Sequence, residues 1–138
     1  MIIAIDFDGT IAEHKFPDIG QPVPGAFEWM KRFKEAGAKL ILWTMRSDDR
    51  TGKGGRENGP VLTDAVEFCR KNGIEFDGIN ENPAQKSWTC SPKAYAHVYI
   101  DDAAFGCPLT DSKEMGARMM VDWDKVGPAI LEQLQRPQ

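Results

Sequence analysis

Short, uninterrupted apolar runs alternate along this chain with longer stretches in which apolar residues recur every three or four positions, a pattern that predicts strands and helices in βαβ order. Ile2 to Ile5 is continuously apolar, as a strand buried on both faces should be, and it stops at Asp6. After a Pro- and Gly-rich loop, Val23, Phe27, Met30 and Phe33 repeat at helical spacing, with Pro24 near the first turn and Gly37 past the end. Leu40 to Trp43 predicts a second strand, closed by Thr44. Val61, Leu62, Ala65, Val66 and Cys69 mark a second helix that stops at Gly73 and leads into a third strand around Ile74 to Ile79. His97 to Ile100 predicts a fourth strand running into Asp101 and Asp102, and Ala117 to Val121 a fifth. Asp124 is the expected cap of a final helix carrying Val126, Ile130, Leu131 and Leu134. The expected fold class is α/β: a Rossmann-like three-layer sandwich with a mainly parallel central sheet and helices on both faces.

Three segments break the periodicity. Ile11 to Gln21 reads as a flap, Ser47 to Gly59 as a long loop dense in glycine and charge, and Asn80 to Pro92 as a further irregular stretch. At 138 residues the chain has room for one domain, 1–138, and its formal net charge of -4 argues against a broad nucleic-acid-binding face. Cys69, Cys90 and Cys107 are odd in number and lack CxxC spacing, and no basic leader follows Met1. A reduced, cytoplasmic protein is expected. No apolar run approaches the roughly 20 residues that span a bilayer, so no membrane partner is expected.

Three predicted strands end in residues able to do chemistry: Asp6 with Asp8, Thr44, and Asp101 with Asp102. In an open parallel sheet these ends share one edge, where ligands bind. Carboxylates gathered there repel one another unless a cation sits among them, and an all-oxygen donor set suits Mg²⁺. Lys86 and Lys93 are the cations that precede the fourth strand; Lys93, in its Ser-Pro-Lys context, is expected at the start of a helical turn.

The run Asp6-Phe7-Asp8-Gly9-Thr10 after an apolar strand resembles the first motif of the haloacid dehalogenase (HAD) superfamily of phosphatases and phosphotransferases. Thr44 closing Leu40 to Trp43 is similar to the second motif, a lysine before the fourth strand to the third, and Asp101-Asp102 to the fourth. The resemblance implies an Mg²⁺-dependent phosphomonoester hydrolase in which Asp6 attacks phosphorus and Asp8 serves as general acid and then general base. It implies that Thr44, with the backbone N–H groups of Met45 and Arg46, binds the phosphoryl oxygens. Lys93, or else Lys86, supplies positive charge there. Asp6, the backbone carbonyl of Asp8 and one of Asp101 and Asp102 are the implied direct metal ligands: Asp101 binds while Asp102 holds a metal-bound water or Lys93, or the two exchange roles.

The family's cap insertions have no room here, so a capless member is expected. Its open site suits a large or extended phosphorylated substrate, or a second copy of the chain covering the entrance. Arg46, Arg50, Lys53 and Arg56 could attract such an anion. His14 reads as a solvated flap residue, Cys69 as core, Trp29 and Trp43 as packing, and Trp88 as a neighbour of the Lys93 segment. Two other readings compete. One is a HAD-like module that binds metal and phosphate without turnover. The other, a phospho-accepting receiver domain, carries its aspartate after the third strand and fits this order less well.

Overall fold

The computed structural model describes residues 1–48 and 59–136. In chain order the elements are β1 (Ile2–Ile5), α1 (Ala26–Glu35), β2 (Lys39–Leu42), α2 (Val61–Lys71), β3 (Gly78–Ile79), a 3₁₀ turn (Pro83–Ser87), β4 (Val98–Ile100), β5 (Leu109–Thr110), β6 (Met120–Val121) and α3 (Trp123–Gln135). Four strands form one sheet in the order β3-β2-β1-β4, and every pair in it is parallel. The fold is α/β and consistent with a Rossmann-like arrangement.

The period-two alternation of the strands divides the core. Ile3 and Ile5 of β1 and Leu40 and Leu42 of β2 are wholly buried against Phe27, Met30 and Phe33 of α1, Ala65 and Cys69 of α2, and Trp123, Val126 and Ile130 of α3. Phe27 meets Phe68 of α2 at 5.8 Å between ring centroids and Phe33 meets Trp123 at 6.3 Å, so α1 lies between the other two helices on one face of the sheet. Gly127 of α3 lets the helices approach, because a Cβ there would collide with the Trp29 ring.

The opposite face carries Ala4 and Ile41, each 1% exposed, with Tyr99 in register beside Ala4. It is covered by the 80–97 segment, onto which the Tyr99 hydroxyl donates a hydrogen bond at the Ala94 carbonyl (2.7 Å). Right-handed crossovers account for this division. The steps β1 to β2 to β3 run one way and place α1 and α2 on one side, while the reverse step from β3 past β2 and β1 to β4 places its connection on the other. That connection has no apolar periodicity and forms only the 3₁₀ turn, capped by Asn82 accepting from the Ala84 N–H (3.0 Å). The expectation of helices on both faces is therefore corrected: among the described residues they occupy one.

Three further boundaries differ from the sequence reading. The third strand contracts to Gly78–Ile79. The N–H of Ile74 is spent on the Cys69 carbonyl at the end of α2 (2.9 Å), which ties the start of the expected strand to the helix instead. The expected fifth strand is Met120–Val121 only, and it pairs antiparallel with β5 outside the main sheet. The cap of α3 is Asp122, which accepts from the N–H of Asp124 (3.1 Å), so Asp124 lies in the first turn.

Candidate active site

The ladder hydrogen bonds run one residue beyond each strand end: Asp6 N–H to the Ile100 carbonyl (2.9 Å), Trp43 N–H to Ile5 (2.9 Å) and Asn80 N–H to Leu42 (2.7 Å). The polar residues that follow are thereby delivered to one edge. β1 and β4 flank the point where the strand order reverses, the place at which open α/β sheets leave a crevice. A cavity of about 330 Å³ opens there, lined by Asp6, Trp43, Thr44, Met45, Asn80 and Asp101.

Asp6, Asp101 and Asp102 each bring a carboxylate oxygen within 4.8 Å of the others. Burial, then the charge of Asp101, then a side-chain hydrogen bond and the charge of Asp102, push the Asp6 carboxyl from its ordinary 3.8 up to about 8. Thr10 ties the group together, its hydroxyl donating to Asp6 Oδ2 (3.2 Å) and accepting from the Asp102 N–H (3.2 Å). The turn between them needs a glycine. Gly9 has φ +82°, and a Cβ there would stand 2.6 Å from Asp102 Oδ2 and collide with His14. From outside, the N–H of Val121 donates to the Gly9 carbonyl (2.9 Å) and the buried Trp123 indole to the Thr10 carbonyl (2.8 Å). Three crowded carboxylates, with no lysine or arginine among the described residues of the cavity lining, fit a hard divalent cation.

Asp8 is set apart from that group. Both of its oxygens accept from Arg46, from Nε at 2.8 Å and Nη2 at 2.8 Å. Its side chain therefore stands outside the cluster of Asp6, Asp101 and Asp102, and only its backbone carbonyl carries the expectation of metal ligation. Arg46 is 2% exposed and wholly engaged within the protein, which corrects its expected part in attracting substrate. Arg50, Lys53 and Arg56, with most of the 47–59 loop, lie outside the described residues.

Thr44 is shaped by a residue that the sequence reading missed. Asn80 accepts from the Thr44 N–H through Oδ1 (2.8 Å) and donates through Nδ2 to the Arg46 carbonyl (3.3 Å). It does so from a left-handed conformation, φ +53°, which asparagine tolerates better than most residues. The available signal was its place directly after a strand, like Asp6 and Thr44. The Thr44 hydroxyl accepts from the Arg46 N–H (3.1 Å), which leaves its own proton for a ligand oxygen. Met45 is 97% exposed at the mouth of the cavity.

The two candidate lysines lie elsewhere. Lys86 pairs with Glu81 (3.4 Å), and Lys93 holds its Nζ 5.3 Å from the centroid of the Tyr99 ring. The turn expected at Lys93 forms instead at Pro83–Ser87 and carries Lys86. Neither lysine lines the Asp6 cavity, nor does Trp88, which packs edge-on to Tyr95 at 5.5 Å. His14 is not merely solvated: its Nε2 lies 2.9 Å from Asp102 Oδ2, linking the flap to the carboxylates. Cys69 is buried in the core, and burial pushes its thiol up to about 12.

Among the described residues no helix is long and apolar enough to cross a membrane. No protein-family model and no curated protein matches the chain. A solved structure of a conserved protein from Bacteroides thetaiotaomicron is similar to it, with 33% sequence identity and a TM-score of 0.70 over 96% of this chain and 91% of that one.

Proposed function

We propose that this chain, which belongs to one family with the conserved Bacteroides thetaiotaomicron protein, is a capless HAD-type, Mg²⁺-dependent phosphomonoester hydrolase acting in the cytoplasm. The observation that carries the reading is the convergence of Asp6, Asp101 and Asp102 within 4.8 Å at the reversal point of the sheet. Between Asp8 and Thr44 the chain forms only the flap, α1 and β2, which supports a capless site.

Asp6, Asp101, Asp102 and the Asp8 backbone carbonyl would hold Mg²⁺. The bound cation supplies positive charge that keeps Asp6 ionised and offsets the charge of the phosphoryl oxygens. The Thr44 hydroxyl and the N–H of Met45 orient the phosphoryl group over Asp6. An Asp6 oxygen attacks phosphorus, the bond to the leaving oxygen breaks, and that oxygen takes its proton from the Asp8 carboxyl. Asp8, now ionised, removes a proton from water. The water oxygen attacks the same phosphorus, the bond to Asp6 breaks, and inorganic phosphate leaves.

A second reading, a phosphate- and metal-binding module without turnover, is favoured by one observation: neither Lys93 nor Lys86 lines the cavity. Thermal unfolding with Mg²⁺, with and without beryllium fluoride as an aspartyl-phosphate mimic, separates the two when joined to a phosphoester panel. The hydrolase should be stabilised by about 5 °C or more in wild type only, with Asp6→Asn unresponsive, and should release phosphate from at least one ester. Stabilisation without turnover on any ester would favour the module.

A further inference from the structure

We infer that Arg46 is the positioning residue for Asp8, holding the proton-transfer carboxyl in one orientation and making that orientation depend on a seated flap. The inference rests on the hydrolase reading. Arg46 and Asp8 are far apart in sequence, and their side chains meet as a fork on a carboxylate, with Nε on Oδ2 and Nη2 on Oδ1 at 2.8 Å each. The remaining donors are spent on three backbone carbonyls: Nη1 on Pro17 (3.3 Å) and on Val61 (3.1 Å), and Nη2 on Asp18 (2.7 Å). All five N–H groups of the guanidinium are thereby used. Its carbon lies over two rings, Phe7 at 4.9 Å and Phe16 at 5.1 Å from their centroids.

The partners have meaning by position. Phe7 and Asp8 belong to the segment after β1. Phe16, Pro17 and Asp18 are the flap. Val61 opens α2, whose first turn is also held by Asp48 accepting from the N–H groups of Leu62 (2.9 Å) and Thr63 (3.1 Å). Arg46 touches all three. Its side chain is 1% exposed against 20% for that of Asp8, so the fork is dry at the arginine and open at the carboxylate. A carboxylate offers about four lone-pair sites, and the fork occupies two, leaving one on each oxygen for a leaving group or water. A freely rotating Asp8 would present those sites in many directions; a forked one presents them in one. An acid or base oriented by a third group in this way is a recurrent catalytic device. Displacing residues 16–18 would remove two carbonyls and one ring from Arg46, and with them the hold on Asp8.

The test compares kcat and KM, with Mg²⁺, on p-nitrophenyl phosphate and on an alkyl phosphate, for wild type, Arg46→Lys and Phe16→Ala. An alkoxide leaves poorly without a proton and nitrophenolate leaves well without one, so misplacing the acid penalises the alkyl ester selectively. For Arg46→Lys the expected result is a loss of about 10²-fold or more in kcat on the alkyl ester, under 10-fold on the aryl ester, and little change in KM. Phe16 is 52% exposed, so Phe16→Ala keeps the test available if Arg46→Lys fails to fold; it should show the same selectivity at smaller size. Equal losses on both esters, or a raised KM at unchanged kcat, would overturn the inference while leaving the hydrolase reading intact. Wild type that turns over neither these two esters nor any other of the phosphoester panel would refute the hydrolase reading and the role of Arg46 with it.

Discussion

Replacing Asp6 with asparagine should destroy the chemistry and make the cation-free protein more stable. The reason lies in where the Asp6 proton resides. Burial and the neighbouring Asp101 and Asp102 raise its carboxyl from 3.8 to about 8, so between these values the folded state keeps a proton that the unfolded chain has released. Stability from this group is therefore fully present below pH 3.8 and is lost as pH rises through 8. A shift of about four units at 1.36 kcal/mol each sets a ceiling of ~6 kcal/mol above pH 8 and ~4 kcal/mol at pH 7. Water on the open side of the cavity and shared titration with Asp101 reduce this to roughly 2 kcal/mol at pH 7. Asparagine keeps the shape, still accepts from the Thr10 hydroxyl and cannot ionise. In a chelator, Asp6→Asn should melt roughly 6–10 °C above wild type at pH 7 to 8, and the gap should close at pH 4. Taking the difference between two proteins cancels the titrating groups that lie away from this carboxylate cluster. A gap that is absent at pH 8, or that is the same at pH 4 and pH 8, would refute the argument.

Asp8 should behave in the opposite way. It is the carboxylate paired with a buried arginine, so Asp8→Ala leaves that charge uncompensated and should cost about 3–5 kcal/mol in chemical denaturation, at pH values where Asp6→Asn stabilises. Gly9→Ala combines a positive φ with a clash against His14 and Asp102, and should lower stability by about 1–3 kcal/mol and weaken Mg²⁺ affinity by calorimetry. Unchanged affinity would show that the His14–Asp102 link does not shape the carboxylate group.

What was legible in the sequence was whatever depends on strand position. Asp6, Thr44 and Asp101 share an edge because parallel strands all point one way, and the three strands that end at them were enough to reveal that. Asn80 escaped although it follows the expected end of its strand at Ile79, because its amide acts on the backbone of Thr44 and Arg46, contacts that only the tertiary fold supplies. The Arg46–Asp8 fork escaped because nothing local in either residue announces a partner that only tertiary folding supplies. The same holds for His14 and Asp102. The expectation of helices behind the sheet arose from extending the βαβ alternation to both faces although Asn80 to Pro92 itself reads as irregular; the 80–97 segment covers its face through Gln85, whose side chain holds Ser91, Lys93 and Tyr95 by their backbones.

The two bonds that reach the Asp6 turn from the far end of the chain, Val121 to Gly9 and Trp123 to Thr10, govern the order in which the molecule can mature during synthesis. A ribosome that has released the first hundred residues has delivered every strand of the main sheet and still has a turn with no outer brace. That brace can form only once Trp123 has cleared the exit tunnel. A chain cut before Val121 would lack both bonds, so the turn after β1 owes its outer support to residues that lie outside the main sheet.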